Sequence, residues 1–130
     1  MAISNIKAVF QQDIQKVWDK VTSFEDYTWR SDISKIEILN EQQFVEYTKE
    51  GYATTFTITV VEPYRCWEFD MENDNMKGHW TGVFIKKGKQ TEIDFTESVV
   101  AKKLFMKFFV KPFLKKQQTL YVSDLKKALL

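Results

Sequence analysis

Cysteine, histidine, proline and glycine are scarce in this chain, and each shortage excludes a class of site or structure. The 130 residues include one cysteine, one histidine, two prolines and four glycines. The single cysteine, Cys66, excludes an intrachain disulfide and any metal site that needs several cysteines. With only His79 beside it, neither a Cys–His catalytic pair nor a zinc site is expected, and we predict no metal and no cofactor. The few glycines and prolines leave no flexible linker, so residues 1–130 are predicted to form a single domain.

Long apolar runs are missing as well. No segment approaches the roughly twenty consecutive apolar residues of a membrane-spanning helix. The N-terminal segment MAISNIKAVFQQ contains no apolar core of the kind found in signal peptides. A cytoplasmic protein without stable membrane insertion is therefore expected. The net charge of +1 does not indicate a polyanionic partner, and no nucleic acid is predicted.

Aromatic residues, in contrast, are abundant, with eleven Phe and four Trp. Many of them lie in segments where apolar and polar residues alternate, which is the pattern of a strand with one buried face. These segments are residues 2–11, 35–39, 44–49, 53–61, 66–71, 76–86 and 91–99. The turns between the last six are short, which favours an antiparallel meander. One face of this sheet is predicted to be aromatic, and the other to carry Thr and charged residues.

Two short helical stretches are predicted between the first two strands. Asp13 stands at an N-cap position before apolar residues at helical spacing. This first helix should end near Ser23, because the helical spacing of apolar residues stops there. Residues 25–31 are predicted to form a second short helical turn.

The longest helical pattern is the C-terminal one, residues 101–130. Its Phe residues recur at four-residue spacing, and lysines form a second stripe beside them. Pro112 has no N–H for the carbonyl four residues earlier. The helix therefore either kinks there, or a short helix stops near Val110 and a second begins at Pro112. The kinked helix is the prediction adopted.

This order of elements resembles the helix-grip fold of the START-like superfamily, also called SRPBCC. The resemblance extends over the whole chain. Locally, DIQKVWDKVTSFEDYTWRSDISKIEIL is similar to the family's opening, where a Val-Trp pair in the first helix precedes a segment ending in Tyr and Trp. Those positions are Val17, Trp18, Tyr27 and Trp29 here. The resemblance implies an α+β fold, in which a curved antiparallel sheet of about seven strands wraps around the long C-terminal helix and encloses an apolar cavity. Members, among them polyketide cyclase-like and birch pollen allergen-like proteins, hold lipids, polyketides, hormones or quinones.

Ten aromatic residues are predicted to converge between the sheet and the C-terminal helix as ligand-binding residues. They are Trp29, Phe56, Trp67, Phe69, Trp80, Phe84, Phe95, Phe105, Phe109 and Phe113. These residues either fill a solid core or form the wall of a cavity for a flat or apolar ligand. Given the resemblance, the cavity is the prediction. Gly78 and Gly82 flank Trp80 on the same face, where they either leave room beside the indole or allow the sheet to bend.

Polar candidates for catalysis are few, and no catalytic residue is predicted. His79 shares its strand face with Lys77 and Thr81, so it is expected to point to solvent rather than into a pocket. The alternation also places four carboxylates on this solvent-exposed face of the sheet, namely Glu68, Asp70, Glu92 and Asp94. Arg30 and Asp32 stand near the expected cavity entrance, either as a site for a polar head group or as a surface ion pair.

Three functions are open on this basis. The first, which is the prediction adopted, is non-catalytic binding or transport of a small hydrophobic ligand such as a lipid, quinone or polyketide-like molecule. The second is an enzyme of the polyketide cyclase or dehydratase type, in which Arg30, Asp32 or a Tyr handles the proton. The third is a membrane-surface or partner-binding module that uses KKLFMKFFVKPFLKK, with transient membrane contact during ligand loading. A buried ionisable group with a shifted pKa would favour the enzyme. The sequence predicts no oligomeric state.

Overall fold

One seven-stranded antiparallel sheet and two helices make up the structure, a computed structural model that describes all residues 1–130. The elements in chain order are β1 (Ala2–Phe10), α1 (Ile14–Thr22), β2 (Ile33–Ile38), β3 (Gln43–Thr48), β4 (Ala53–Glu62), β5 (Cys66–Glu72), β6 (Met76–Lys87), β7 (Gln90–Ala101), a 3-10 turn (Leu104–Met106) and α2 (Val110–Ala128). The sheet order is β1-β7-β6-β5-β4-β3-β2, so the last six strands form a meander and β1 joins it beside β7. This arrangement confirms the predicted helix-grip α+β fold.

The alternation seen in the sequence is the inside–outside alternation of the sheet. On β4 to β7, the aromatic residues of the predicted inner face are buried, while their neighbours in sequence remain partly or fully exposed. Inner-face aromatics pack ring to ring across neighbouring strands. Phe69 on β5 stacks on Trp80 on β6 with ring centroids 4.8 Å apart, and Phe95 on β7 lies 4.7 Å from Trp80. Such pairs each contribute roughly 0.5–1.5 kcal/mol beyond the burial of their surface.

Helix α1 covers one end of this aromatic face. Asp13 caps the helix as predicted, because its carboxylate accepts a hydrogen bond from the Lys16 amide at 3.0 Å. The buried face of α1 is formed by Val17, Trp18 and Val21. The Trp18 ring meets the edge of Phe84 at 4.9 Å. Phe84 is therefore buried between α1 and the ring of Phe95, whose centroid is 5.7 Å away.

The predicted second helical turn at residues 25–31 is wrong. These residues lie in a loop between α1 and β2, here called the α1–β2 loop (residues 23–32), with a single tight turn in which the Arg30 amide donates to the Tyr27 carbonyl at 3.0 Å. The Trp29 indole N–H donates to the Asp26 carbonyl at 2.8 Å. One turn of helix is too short to be stable by itself, and side-chain bonds to the backbone offer this loop an alternative.

The prediction of a single kinked C-terminal helix is also wrong. After β7 the chain forms the 3-10 turn, and α2 begins only at Val110. Pro112 is the third residue of α2, and the first amide to close a helical turn is that of Phe113, which donates to the Phe109 carbonyl at 3.1 Å. The missing N–H of Pro112 is harmless there, because amides in the first turn have no partner within the helix. Neither helix combines the length and apolar character that crossing a membrane requires.

Candidate functional site

A cavity of about 760 Å³, partly open to solvent, lies between the inner face of the sheet, α2 and the α1–β2 loop. Its volume falls within the range of roughly 300–1,000 Å³ that is common for small-molecule sites. Most residues around it are apolar, and β3 to β7 all contribute inner-face side chains. The aromatic residues therefore leave space that a solid core would not have.

Eight of the ten predicted aromatic residues line this cavity. They are Trp29, Phe56, Trp67, Phe69, Trp80, Phe95, Phe109 and Phe113. The other two lie elsewhere. Phe84 is buried under α1, and Phe105 projects into solvent with 71% of its surface exposed. Phe105 was predicted on the assumption of one continuous helix, and the break before Val110 turns it away from the sheet.

The break also changes the position of Phe109 and Phe113. Both contribute to the cavity wall, yet they are 69% and 46% exposed. They therefore lie at the cavity's entrance rather than deep inside it, together with Met106 of the 3-10 turn. Farther along the chain, Val122 and Leu125 of α2 and Leu129 just after its end pack into the main core.

Two polar contacts hold the cavity's walls to α2. The buried side chains of Ser4 and Gln118 join β1 to α2, since the Ser4 hydroxyl donates to Gln118 Oε1 at 2.7 Å and the Gln118 amide donates to the Ser4 carbonyl at 3.0 Å. The α1–β2 loop is held in the same way by Asp124. Its Oδ2 accepts hydrogen bonds from the amide and the hydroxyl of Ser31, both at 2.8 Å.

An ion cluster centred on Arg30 forms one polar part of the cavity wall. Its guanidinium makes a two-point contact with Glu46, at 2.8 and 3.2 Å, and a further contact with Asp32 at 3.1 Å. The guanidinium carbon also lies 5.1 Å from the centre of the Tyr121 ring. Burial alone would lower the pKa of Arg30, but Glu46, Tyr121 and Asp32 outweigh it and raise that pKa further. Arg30 is thus a permanently charged group, and its Nε is buried without a hydrogen-bond partner.

Glu97 on β7 adds an unpaired acid to the same cavity. It lies opposite Ser4 on β1 and Trp80 on β6, and its carboxyl makes no hydrogen bond to the protein. Burial raises the pKa of Glu97 to about 7, and the negative charge of Glu46 adds to the effect. Burial likewise raises the pKa of Tyr121 far above its ordinary value, so its phenol stays protonated. The cavity therefore contains one acid that changes its charge near neutral pH.

Glu46, Glu97 and Tyr121 were missed as site residues in the sequence. Glu97 could have been found, because it has the same parity as Ile93, Phe95 and Val99 on β7, all of which are buried. Glu46 follows Phe44 at two-residue spacing on β3 in the same way. For Arg30 and Asp32 the sequence indicates either a head-group site or a surface ion pair. The structure shows the ion pair at 3.1 Å and places both residues in the cavity wall.

His79 lies on the outer face of the sheet, as predicted, and does not line the cavity. Its ring nitrogens contact Asp70 at 2.7 Å and Glu68 at 2.8 Å. These hydrogen bonds raise the pKa of His79, and the bond from His79 lowers the pKa of Glu68. Cys66 is near this group, with Sγ 3.5 Å from Glu68 Oε2. Burial, followed by the hydrogen bond to Glu68, raises the pKa of the Cys66 thiol, so the thiolate is disfavoured.

The sequence matches no protein-family model and no curated protein, but its fold matches solved structures. A START superfamily protein from Mycobacterium smegmatis is 13% identical, with a TM-score of 0.88 over 99% of this chain and 97% of that one. A conserved protein from Geobacillus kaustophilus is 10% identical, with a TM-score of 0.84 over 98% of this chain and 94% of that one. The di-domain ARO/CYC BexL from the BE-7585A biosynthetic pathway is 8% identical, with a TM-score of 0.82 over 98% of this chain and 46% of that one.

These similarities extend over nearly the whole chain at very low sequence identity, so they concern the fold. They confirm the START-like helix-grip fold that the order of strands and helices predicts. A fold of this kind is compatible with ligand binding and with catalysis, and the choice between them must come from the residues of the cavity.

Proposed function

We propose that this protein binds or transports a small, largely apolar molecule in the cavity between the sheet and α2, without transforming it. The observation that carries the proposal is the cavity of about 760 Å³ with its aromatic wall. Aromatic and aliphatic walls with a few convergent polar groups are typical of small-molecule sites. The START-like fold supports the same conclusion.

The charges in the cavity wall narrow the class of ligand. Arg30 supplies one positive charge, but Glu46 and Asp32 together supply two negative charges in direct contact with it. Glu97 adds a further negative charge whenever it ionises. Among the other charged lining residues, three acids stand against one lysine, namely Asp26, Glu50, Glu72 and Lys49. An anionic head group would thus meet a net negative wall, and it would have to displace carboxylates from Arg30 to be neutralised. We propose that the ligand carries a neutral hydrogen-bonding group, such as a hydroxyl, ketone or quinone oxygen, to which protonated Glu97 or the Tyr121 hydroxyl donates.

A ligand-binding comparison tests the proposal. Dodecanol and 2-dodecanone should raise the melting temperature of the protein and displace an apolar fluorescent probe, whereas dodecanoate at pH 8 should do so at least tenfold less effectively. Met71→Trp, which adds bulk inside the cavity, should abolish both effects. The matched control is Val61→Trp, which adds the same side chain at a position 56% exposed on the sheet. Equal binding to wild type and Met71→Trp would overturn the proposal.

Glu97 favours a second candidate, an enzyme of the cyclase type. An unpaired carboxyl with a pKa of about 7 suits a general base, because its proton can leave and return at neutral pH. In such an enzyme, Glu97 would take a proton from the carbon next to a substrate carbonyl. The enolate carbon would bond to a second carbonyl, whose oxygen would receive the proton back from Glu97. The fold shared with the di-domain ARO/CYC BexL is compatible with this candidate.

The two candidates differ in what Glu97→Gln does. If the protein only binds, a polyketone ligand is recovered unchanged after incubation with wild type, and Glu97→Gln changes its affinity alone. If the protein is an enzyme, wild type converts the polyketone to a cyclised product, detected by mass spectrometry and ultraviolet absorption. Glu97→Gln would then still bind the substrate and lose the conversion. The proposal of simple binding predicts no conversion by either protein.

A further inference from the structure

The densest group of exposed apolar side chains lies at the cavity's entrance. Residues 102–113, here called the entrance segment, run from the end of β7 through the 3-10 turn into the first turn of α2. Leu104 is 83% exposed, Phe105 71% and Phe108 84%. None of these three side chains belongs to the hydrophobic core. A contiguous exposed apolar patch is typical of a surface that contacts a partner or a membrane.

Anchors on both sides fix the position of this segment. At its N-terminal end, Ala101 pairs with Met76 in the sheet, and the amide of Lys102, the first residue of the segment, donates to the Asn75 carbonyl at 2.8 Å. At its C-terminal end, Val110 within the segment and Leu114 just after it are buried against Val99. Between the anchors, the backbone bonds are local ones within the turn. The exposed apolar side chains thus lie on a short surface segment whose two ends are fixed to the rest of the protein.

Positive charge surrounds these apolar side chains. Residues 98–123 contain six lysines and no acid. Lys102 is paired with Glu72 at 2.7 Å, while Lys103, Lys107 and Lys111 are exposed and make no ion pair. Projecting aromatic residues among unpaired lysines are the combination that binds an anionic membrane surface, since the rings enter the acyl boundary and the lysines meet the lipid phosphates.

We propose that the entrance segment docks this protein onto an anionic lipid surface. Phe109 and Phe113 belong both to this surface and to the cavity wall, so docking brings the entrance into contact with the acyl chains and lets an apolar ligand pass without crossing water. A second copy of the chain fits the surface less well. A twofold interface there would bring the unpaired lysines of both copies together, and like charges in an interface oppose association.

Vesicle flotation with the purified full chain tests the proposal. Vesicles of phosphatidylcholine alone are compared with vesicles of phosphatidylcholine and phosphatidylglycerol in about a three-to-one ratio. The protein should float with the mixed vesicles, and binding should fall at high salt. Each lysine at an anionic surface is worth about fivefold in affinity. The triple variant Lys103→Glu, Lys107→Glu, Lys111→Glu should therefore bind at least tenfold more weakly, and so should Leu104→Ser, Phe105→Ser, Phe108→Ser.

Matched controls exclude general effects of charge and hydrophobicity. Lys7→Glu, Lys86→Glu, Lys89→Glu makes the same charge change at exposed positions elsewhere, and Ile38→Ser, Leu39→Ser, Val61→Ser removes exposed apolar residues elsewhere. Both controls should bind as wild type does. Met71→Trp should also bind vesicles normally, which separates this proposal from ligand binding in the cavity.

Three results would overturn the proposal. The first is wild type that does not float with the mixed vesicles. The second is entrance-segment variants that float as well as their controls. The third is a dimer in sedimentation velocity that the serine variant dissociates while vesicle binding stays absent, because a second copy would then cover the surface.

Discussion

Ser31 and Asp124 are 93 residues apart in sequence, yet two hydrogen bonds of 2.8 Å join them. Both bonds end on one oxygen of the Asp124 carboxylate, which is buried on α2. Through this contact the α1–β2 loop, which carries Trp29 and Arg30, is held against the helix. This carboxylate of the C-terminal helix thus helps to position the cavity wall on that side.

Asp124→Ala should destabilise the protein by about 2 kcal/mol, because the amide and hydroxyl of Ser31 lose a charged acceptor. Ser31→Ala should cost less, since its backbone amide still reaches Asp124. Urea unfolding measures both changes, and Asp19→Ala, at an exposed position on α1, is the matched control. Equal stability of the Asp124 and Asp19 variants would contradict this role of the contact.

Glu97 should make the stability of the protein depend on pH. Its pKa is about 7 in the folded chain, against an ordinary value of 4.5 for a glutamate. Between these two pH values the folded state therefore binds a proton that the unfolded state has lost. Stability should therefore fall as pH rises from about 4.5 to 7, by up to about 3 kcal/mol. Glu97→Gln should remove this loss, raising the melting temperature by several degrees at pH 8 and leaving it unchanged near pH 4.5. A variant that melts as wild type does at both pH values would show that Glu97 is well solvated.

Gly82→Ala should destabilise the protein through Trp80. A Cβ at Gly82 would clash with the Trp80 ring and lie 3.2 Å from Phe95, so the indole and its stacking partner Phe69 must move. Forced repacking of this kind costs typically about 1–3 kcal/mol. Tryptophan fluorescence and thermal unfolding measure the change, with Gly51→Asn as a control at an open turn with positive φ. An unshifted melting temperature would contradict the close packing of Trp80 over Gly82.

His79 should titrate above its ordinary pKa of 6.5, because Asp70 and Glu68 both bond to its ring. A raised histidine pKa stabilises the folded state below about pH 6.5, and this contribution disappears as pH rises through the raised pKa. NMR titration of the single imidazole measures this directly, and Asp70→Asn should move its pKa back towards 6.5. His79→Gln should leave ligand binding unchanged, since the ring lies outside the cavity. Loss of binding in that variant would contradict this placement.

The strands could be predicted from the sequence because each buries one face, so alternation marks their extent. The predicted strand of residues 53–61, for instance, is Ala53–Glu62 in the structure. The same alternation places Glu97 on the buried face of its strand. Glu97 was not predicted as a site residue, because acidic residues are rarely found on a buried face.

Two segments have a secondary structure that could not be predicted from the sequence, because contacts between residues far apart in the chain determine it. Residues 25–31 have helical spacing, but Asp124 and Tyr121 on α2 hold them as a loop. Residues 101–109 also fit a helical pattern, yet the pairing of Ala101 with Met76 extends β7 to that point and delays the helix until Val110. The spacing of apolar residues indicates which side chains share a face of an element. It does not indicate which distant residues that element contacts.

Native mass spectrometry of the protein as purified from cells tests the central claim most directly. Wild type should carry a non-covalent adduct that is lost on denaturation, and its mass should correspond to an apolar molecule with a neutral polar group. Met71→Trp should be free of the adduct, while Val61→Trp should retain it. An adduct that persists in Met71→Trp, or a wild type that neither carries an adduct nor takes up any neutral apolar compound, would contradict the account of the cavity as a ligand site.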